Sequence, residues 1–340
     1  MGDMTSGQGA HSDLTRREEG VDAGRLLAAI GVIAIHVGAY DELPYGAGEL
    51  IRAFCRWCVP FFFIASGYFL VGRDGELRIS LKGLSRLVRI FALSCVLFLP
   101  LHFLRYVETP IEGVGVEFLL LGTNYHLWFL SSLIMAQLFL AAYDRVEGGL
   151  ISGVAVLILL GFVIVSYLAI EAPEFRKAEV IMRQLSGVSF VWIGVLIGRR
   201  RETLRLGRWL LTLTAALLVL TAIESWVLGR MHPPFADAEL LATSCLLAPC
   251  LFLLAIRYGH RTPEWLSKMG REQSLLIYLL HPIVIVMAWK AITTGIIPRS
   301  SLLIYGITVV VLIPAIDIMR RKLGVIYRAL MGGPIRSLDG

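Results

Sequence analysis

Apolar runs of roughly 16 to 24 residues recur from one end of the chain to the other, each long enough to cross a bilayer as a helix. Mean hydropathy is +0.72, and 17% of residues are charged, against about a quarter in soluble domains. The expected fold class is therefore all-α, a polytopic integral membrane protein embedded in the lipid bilayer. The excess of Lys and Arg over Asp and Glu leaves a formal net charge of +6. In such a chain that excess records topology, and no nucleic-acid partner is expected.

Apolar runs set against charged breaks give about ten helices, near 25–40, 50–72, 89–106, 124–143, 148–170, 184–198, 209–228, 238–256, 272–291 and 301–319. Pro100, Pro249, Pro282 and Pro314 fall inside these spans, where neighbouring helices can satisfy the backbone groups they free. One set of loops carries Arg16, Arg17, Arg73, Arg78, Lys82 and Arg86, then Arg199, Arg200, Arg201, Arg205 and Arg208. The same set continues with Arg257, Arg261, Lys268 and Arg271, and ends with Arg320, Arg321, Lys322, Arg328 and Arg336. The opposite loops hold Arg176, Lys177, Arg183, Arg230 and Arg299 beside the acids Asp41, Glu42, Glu108, Glu112, Glu117, Glu171 and Glu174. This alternation predicts that both termini are cytoplasmic. Residues 1–20 are polar and Gly-rich and read as a disordered cytoplasmic tail, with no apolar core of a signal peptide. Residues 21–322 form the membrane domain and 323–340 a C-terminal cytoplasmic tail. Cys55, Cys58, Cys95, Cys245 and Cys250 all lie in apolar segments. "CRWC" has the C-x-x-C spacing but neither a βαβ context nor a second metal pair, so free thiols and no metal site are expected.

The first span reads "RLLAAIGVIAIH", a cation followed by a histidine with nothing polar between. Eleven residues separate Arg25 from His36, so at about 100° per residue they return to within roughly 20° of one helix face, about 16 Å apart along the axis. One groove can hold both, with Arg25 at the cytoplasmic edge and His36 about halfway across. An ionisable residue inside a span is a functional candidate, and a neutral imidazole can accept a proton. From position alone, His36 is either such a base or a structural donor to a neighbouring helix. His281, in "SLLIYLLHPI", sits at a similar depth beside Pro282, with Tyr278 one turn earlier. Together the two histidines suggest a polar cavity at the bundle centre. "RLVR" places Arg86 and Arg89 three apart where a helix enters the membrane, suited to a polyphosphate or to an ordinary positive-inside anchor. Ser66 and Tyr68 close the aromatic run "VPFFFIASGYF", Arg52 and Arg56 enter that span from the outer side to snorkel or to pair with Glu49, and Trp128 sits in "NYHLWFL" at the outer interface.

Taken in order, "DAGRLLAAIGVIAIH", "VPFFFIASGYFL", "RLVR", "HLWFL", "VWIGVLIGRR" and "SLLIYLLHP" resemble the motifs of the bacterial membrane acyltransferase-3 family, from residue 21 to about 320. The resemblance implies ten membrane helices in the bacterial cytoplasmic (inner) membrane. It implies transfer of an acyl group, often acetyl, from acyl-coenzyme A to a hydroxyl of a glycan, lipid-linked glycan or related acceptor. Acyl-coenzyme A is then a co-substrate and no cofactor is permanently bound. Some members carry a fused SGNH domain; none is expected here, which favours the stand-alone type. On this reading His36 is the general base or acyl carrier, while Arg25, Arg86 and Arg89 bind the donor. Asp22 orients Arg25, and Ser66, Tyr68, Trp128, Tyr278 and His281 line or support the pocket. A proton-coupled transporter would use buried histidines similarly but predicts an inverted repeat, which is not found. A non-enzymatic sensor, with His36 merely packed, is the other rival.

Overall fold

The computed structural model describes residues 18–44, 46–105, 121–143, 148–231 and 241–333. Arg16, Arg17, Glu108, Glu112, Glu117 and Arg336, used above for topology, lie outside these residues, as does the polar stretch up to residue 17. The described chain is a helical bundle. Its elements are α1 (Glu19–His36), α2 (Ala47–Cys55), α3 (Cys58–Phe69), α4 (Leu81–Arg105), α5 (Trp128–Ala142) and α6 (Gly148–Glu171). They continue as α7 (Arg176–Arg199), α8 (Trp209–Met231), α9 (Ala242–Tyr258), α10 (Glu264–Thr293), α11 (Ser301–Lys322) and the short α12 (Gly324–Leu330).

Eight segments are long and apolar enough to cross a membrane among the described residues, α2 and α3 counting as one. The other two expected spans are also helical, but α1 carries Glu19, Asp22 and Arg25 within 18 residues and α5 is only 15 residues long. Neither looks like an independent span by composition and length. α1 instead packs one face on α10, α3 and α9, with Val21, Ala28, Ala29, Val32 and Ile33 at most 1% exposed, and leaves Leu27 53% exposed on the other. The outer helices turn apolar side chains outward, as Leu157 and Leu160 do on α6 and Val310 on α11. That is the arrangement a hydrocarbon solvent allows.

Several boundaries differ from the sequence expectation: α4, α7 and α10 begin at Leu81, Arg176 and Glu264, ahead of the apolar runs expected near 89, 184 and 272. α1 begins at Glu19 and stops at His36 rather than near residue 40. The second span is broken at Arg56–Trp57, which separates α2 from α3. Pro60 explains the break: it has no N–H for the Arg56 carbonyl four residues earlier, and its ring disfavours a carbonyl there. The helix resumes with the Phe61 amide donating to the Trp57 carbonyl at 2.9 Å.

The helices meet closely where side chains are smallest. A Cβ on Gly67 of α3 would overlap the Val191 carbonyl oxygen of α7, and one on Gly194 would overlap the Ile64 carbonyl oxygen. These reciprocal contacts bring α3 and α7 together backbone to backbone, the packing that substitutes for a hydrophobic drive in lipid. Gly67→Val is therefore expected to cost about 3 kcal/mol. Thermal unfolding of the purified protein in detergent should show a clearly lowered midpoint, whereas Gly153→Val, at an open position of α6, should leave it nearly unchanged.

Candidate functional site

A polar cluster sits where α1 ends against the middle of α10. Pro282 supplies no N–H to the Tyr278 carbonyl one turn earlier, so that oxygen lacks its helical donor. The Nδ1 of His281 donates to it instead, at 2.7 Å. The proton is thereby fixed on Nδ1, leaving Nε2 with a free lone pair. His281 is 0% exposed, and its Nε2 has no hydrogen-bond partner among the described residues. Its ring stacks on His36 with centroids 5.3 Å apart and planes 18° from parallel. His36 thus ends its own helix but lies level with the midpoint of α10.

A third imidazole completes the group. His126, from the loop before α5, lies edge-on to His281 at 5.4 Å, and its two ring nitrogens face the Leu279 carbonyl at 3.2 Å and Asn124 Oδ1 at 3.3 Å. The Tyr278 hydroxyl donates to the His126 carbonyl. Two hydrogen bonds therefore pin this loop to α10. Tyr125 brings its ring within 4.9 Å of His36. Among the described residues no group of three or more His, Cys, Asp or Glu side chains is placed to hold a metal ion.

Two cavities flank this cluster. The larger, about 310 Å³, has Arg25, Arg78 and Arg86 at its polar end and Ser66, Phe129 and Tyr278 deeper in. The smaller, about 60 Å³, is lined by His36, Arg56, Trp128 and Arg183 with apolar neighbours. Between them stands a layer of rings. Tyr278 packs edge-on against Phe62 and Phe129 at 5.9 and 5.3 Å, and Phe129 lies 4.6 Å from Phe63, which faces the small cavity.

Of the residues expected at a site, Arg25, Ser66, Arg86 and Tyr278 meet in the large cavity, while His36 and Trp128 meet in the small one. His281 joins the two groups through its stacking on His36. Asp22, 5% exposed, approaches Arg25 at 3.5 Å and Arg271 of α10 at 3.0 Å, so the two guanidiniums share one buried carboxylate. Ser66 donates its hydroxyl to the Phe62 carbonyl at 2.8 Å, and Tyr278 commits its own to the loop. Both hydroxyls are thus engaged within the protein.

Arg89 and Tyr68 line neither cavity. Arg89 donates to the Gly332 carbonyl at 3.0 Å and Arg86 to the Met331 carbonyl at 2.8 Å, so the pair holds the turn after α12 against the start of α4. Tyr68 is buried against Phe252 and donates to Glu18 at 3.0 Å. Three contributors escaped the sequence. His126 was hidden in an aromatic interface pattern, Arg183 was counted as a loop charge, and Arg56 was expected to snorkel. Their signal was a histidine or arginine bordering an apolar run.

Comparison with known proteins places an acyltransferase domain, of the acyltransferase-3 type, on residues 18–320. An amino-acid racemase of Enterococcus faecalis is 27% identical over 321 residues, 87% of this chain and 45% of that protein. A serine/alanine racemase of Enterococcus gallinarum is 28% identical over 293 residues, 78% of this chain and 40% of that protein. The chain spans less than half the length of these curated relatives. No solved structure matches.

The Asp22 bridge has a direct test. Asp22→Ala leaves two guanidiniums without their shared carboxylate, and breaking a fully buried pair costs about 3–5 kcal/mol. Because these guanidiniums keep 27% and 34% exposure, a loss of about 1–3 kcal/mol is expected. The thermal midpoint in detergent measures it, and Asp22→Asn should lose less.

Proposed function

The chain belongs to the acyltransferase-3 family and is a membrane acyltransferase, and from that premise we propose that it carries an acyl group, acetyl in the first instance, from cytoplasmic acyl-coenzyme A to a hydroxyl of a surface or lipid-linked glycan. The protein lies in the bacterial inner membrane with ten spans and both termini cytoplasmic. The charge pattern supports this orientation: Arg25, Arg78, Arg86 and Arg271 share one end of the bundle, where α1, α4 and α10 begin.

The observation that carries the reading is the large cavity, which starts at Arg25, Arg78 and Arg86 and ends at Tyr278, next to the His36–His281 stack. Coenzyme A phosphates suit the arginine end, because guanidinium pairs with phosphate through two parallel hydrogen bonds. The pantetheine arm runs along the cavity, and the thioester reaches the aromatic layer formed by Phe62, Phe129 and Tyr278. From the small cavity the acceptor hydroxyl approaches, and His36 takes its proton as general base. The oxygen attacks the thioester carbonyl, the carbon–sulfur bond breaks, and the coenzyme A thiolate leaves with the new ester formed. The proton held by His36 returns to the thiolate. His281 steadies the His36 ring and offers its Nε2 lone pair to the proton in transit.

Release of free coenzyme A from acetyl-coenzyme A by the protein in nanodiscs tests this. His36→Ala is expected to lower turnover by about 10²–10⁴-fold, and Arg86→Ala to raise the KM for acetyl-coenzyme A about tenfold with a smaller change in kcat. Normal turnover by His36→Ala would make that imidazole structural and end the mechanism. The C-terminal turn gives a separate test. Gly332 has φ +73°, and a Cβ there would overlap Arg86 and Ile90. Gly332→Val is expected to lift the turn from α4, free Arg86 from its carbonyl partner and raise the donor KM several-fold at unchanged saturating rate.

A further inference from the structure

Gln137 breaks the pattern of its own helix. On α5 the buried face recurs at Leu130, Leu133, position 137 and Leu140, a spacing of three and four that marks one side of a helix. Leucine fills the other three positions, whereas position 137 holds a carboxamide that is 7% exposed. Leu130, Leu133 and Gln137 all line the cavity of about 310 Å³ that starts at Arg25, Arg78 and Arg86. The other polar residues of that cavity are already engaged within the protein. Arg25 pairs with Asp22, Arg78 with Asp74, and Arg86 with the Met331 carbonyl. Ser66 donates to the Phe62 carbonyl, Ser80 accepts from the Gly83 amide, and Tyr278 donates to the His126 carbonyl. Gln137 has no hydrogen-bond partner among the described residues. A carboxamide carries N–H donors and a carbonyl acceptor. A ligand that fills the cavity removes water from these groups and must return their hydrogen bonds, or lose affinity.

We propose that Gln137 recognises a secondary amide in the arm of the acyl donor, accepting from its N–H and donating to its carbonyl. This rests on the acyltransferase reading above and adds a specificity-determining residue to the donor site. Depth decides which amide is read. Gln137 lies eight residues after Phe129 of the aromatic layer, about 12 Å along the axis of α5. In a pantetheine thioester the sulfur is followed by two carbons and an amide, then by two more carbons and a second amide. Standard bond lengths put the second amide roughly 10 Å from the sulfur in an extended arm. With the thioester at the aromatic layer, that amide comes level with Gln137. The first amide lies beside Leu133, which offers it no hydrogen bond. The site is thus built to favour thioesters whose arm carries the second amide over simpler ones.

The test uses the full chain in nanodiscs with three donors. Acetyl-coenzyme A and S-acetylpantetheine carry both amides, and S-acetyl-N-acetylcysteamine carries the first alone. Thiol release is followed for the wild type, Gln137→Leu and Gln137→Met, and binding of coenzyme A is measured by calorimetry. Both variants are expected to lower kcat/KM about tenfold for the two longer donors, chiefly through KM. For the cysteamine thioester they should leave it about unchanged. The thermal midpoint of the protein without donor should hold or rise in Gln137→Leu, because leucine continues the face of Leu133 and Leu140. A fall in that midpoint makes Gln137 a packing residue and overturns the proposal. So does an equal loss with all three donors, or no loss with any. Thiol release that ignores residue 137 keeps the transfer reading and removes the amide site. Coenzyme A that binds the wild type, and Gln137→Leu about tenfold more weakly, without any thiol release does the reverse. Coenzyme A that fails to bind the wild type removes both.

Discussion

The close approach of α1 to α10 is the contact on which the rest of the bundle depends. A Cβ on Gly270 would overlap the Asp22 carbonyl oxygen, and one on Gly20 the Ala255 carbonyl oxygen, so α1 lies with its backbone against both α10 and α9. Helices in lipid gain little from burying apolar surface, and contact at small residues supplies the attraction instead. Here that contact also solves an electrostatic problem. α1 has an acid and a base inside its first two turns, and only the Arg271 guanidinium one residue after Gly270 lets Asp22 share two cations. The same pairing sets the far end of α1, where His36 reaches His281.

Satisfaction of polar groups then decides what is left for chemistry. Around Pro282 nearly every polar atom is tied to another: His281 Nδ1 to the Tyr278 carbonyl, the Tyr278 hydroxyl to the His126 carbonyl, and the His126 ring to Leu279 and Asn124. Such a network is stiff, because each member fixes the next. Its exception is informative. His281 Nε2 is buried and unpartnered among the described residues, and the ring that carries it stacks on His36. A rigid frame with a lone pair left over is what proton transfer in a dry site needs.

The bundle was legible in the sequence because hydrocarbon imposes a length and a composition on every span. The apolar runs located the long helices but not their polar first turns, since α4, α7 and α10 begin at Leu81, Arg176 and Glu264, and both predicted histidines of the centre stood out as ionisable residues in apolar surroundings. What stayed hidden was partnership across the chain. The spacing of Arg86 and Arg89 announces a cation pair at an interface, but their carbonyl partners at Met331 and Gly332 lie more than 240 residues away in sequence. His126 stands in a segment whose tryptophan and tyrosine are expected at a membrane surface anyway, and only the fold turns that loop inward against α10. Tyr68 shows the converse: a tyrosine ending an aromatic helix looks pocket-facing, but its hydroxyl reaches Glu18, just before α1. Periodicity gives a residue's depth and face but says nothing of which helix that face meets.

The two cavities bear on a difficulty that any enzyme working across a membrane has. If donor and acceptor come from opposite ends, an open passage between them would let ions through. In this chain the cavities do not merge, because Phe62, Phe63, Phe129 and Tyr278 interpose a layer of rings. An acyl group of two carbons can pass such a layer by displacing a ring, whereas a hydrated ion would have to shed its water there. In the proposed reaction, Tyr278 thus has a part that needs no free hydroxyl. Its ring closes the donor cavity, its hydroxyl fixes the loop that carries His126, and its carbonyl fixes the His281 tautomer. One residue thereby couples the seal to the geometry of the base, so a change that loosens the aromatic layer also disturbs the imidazole stack.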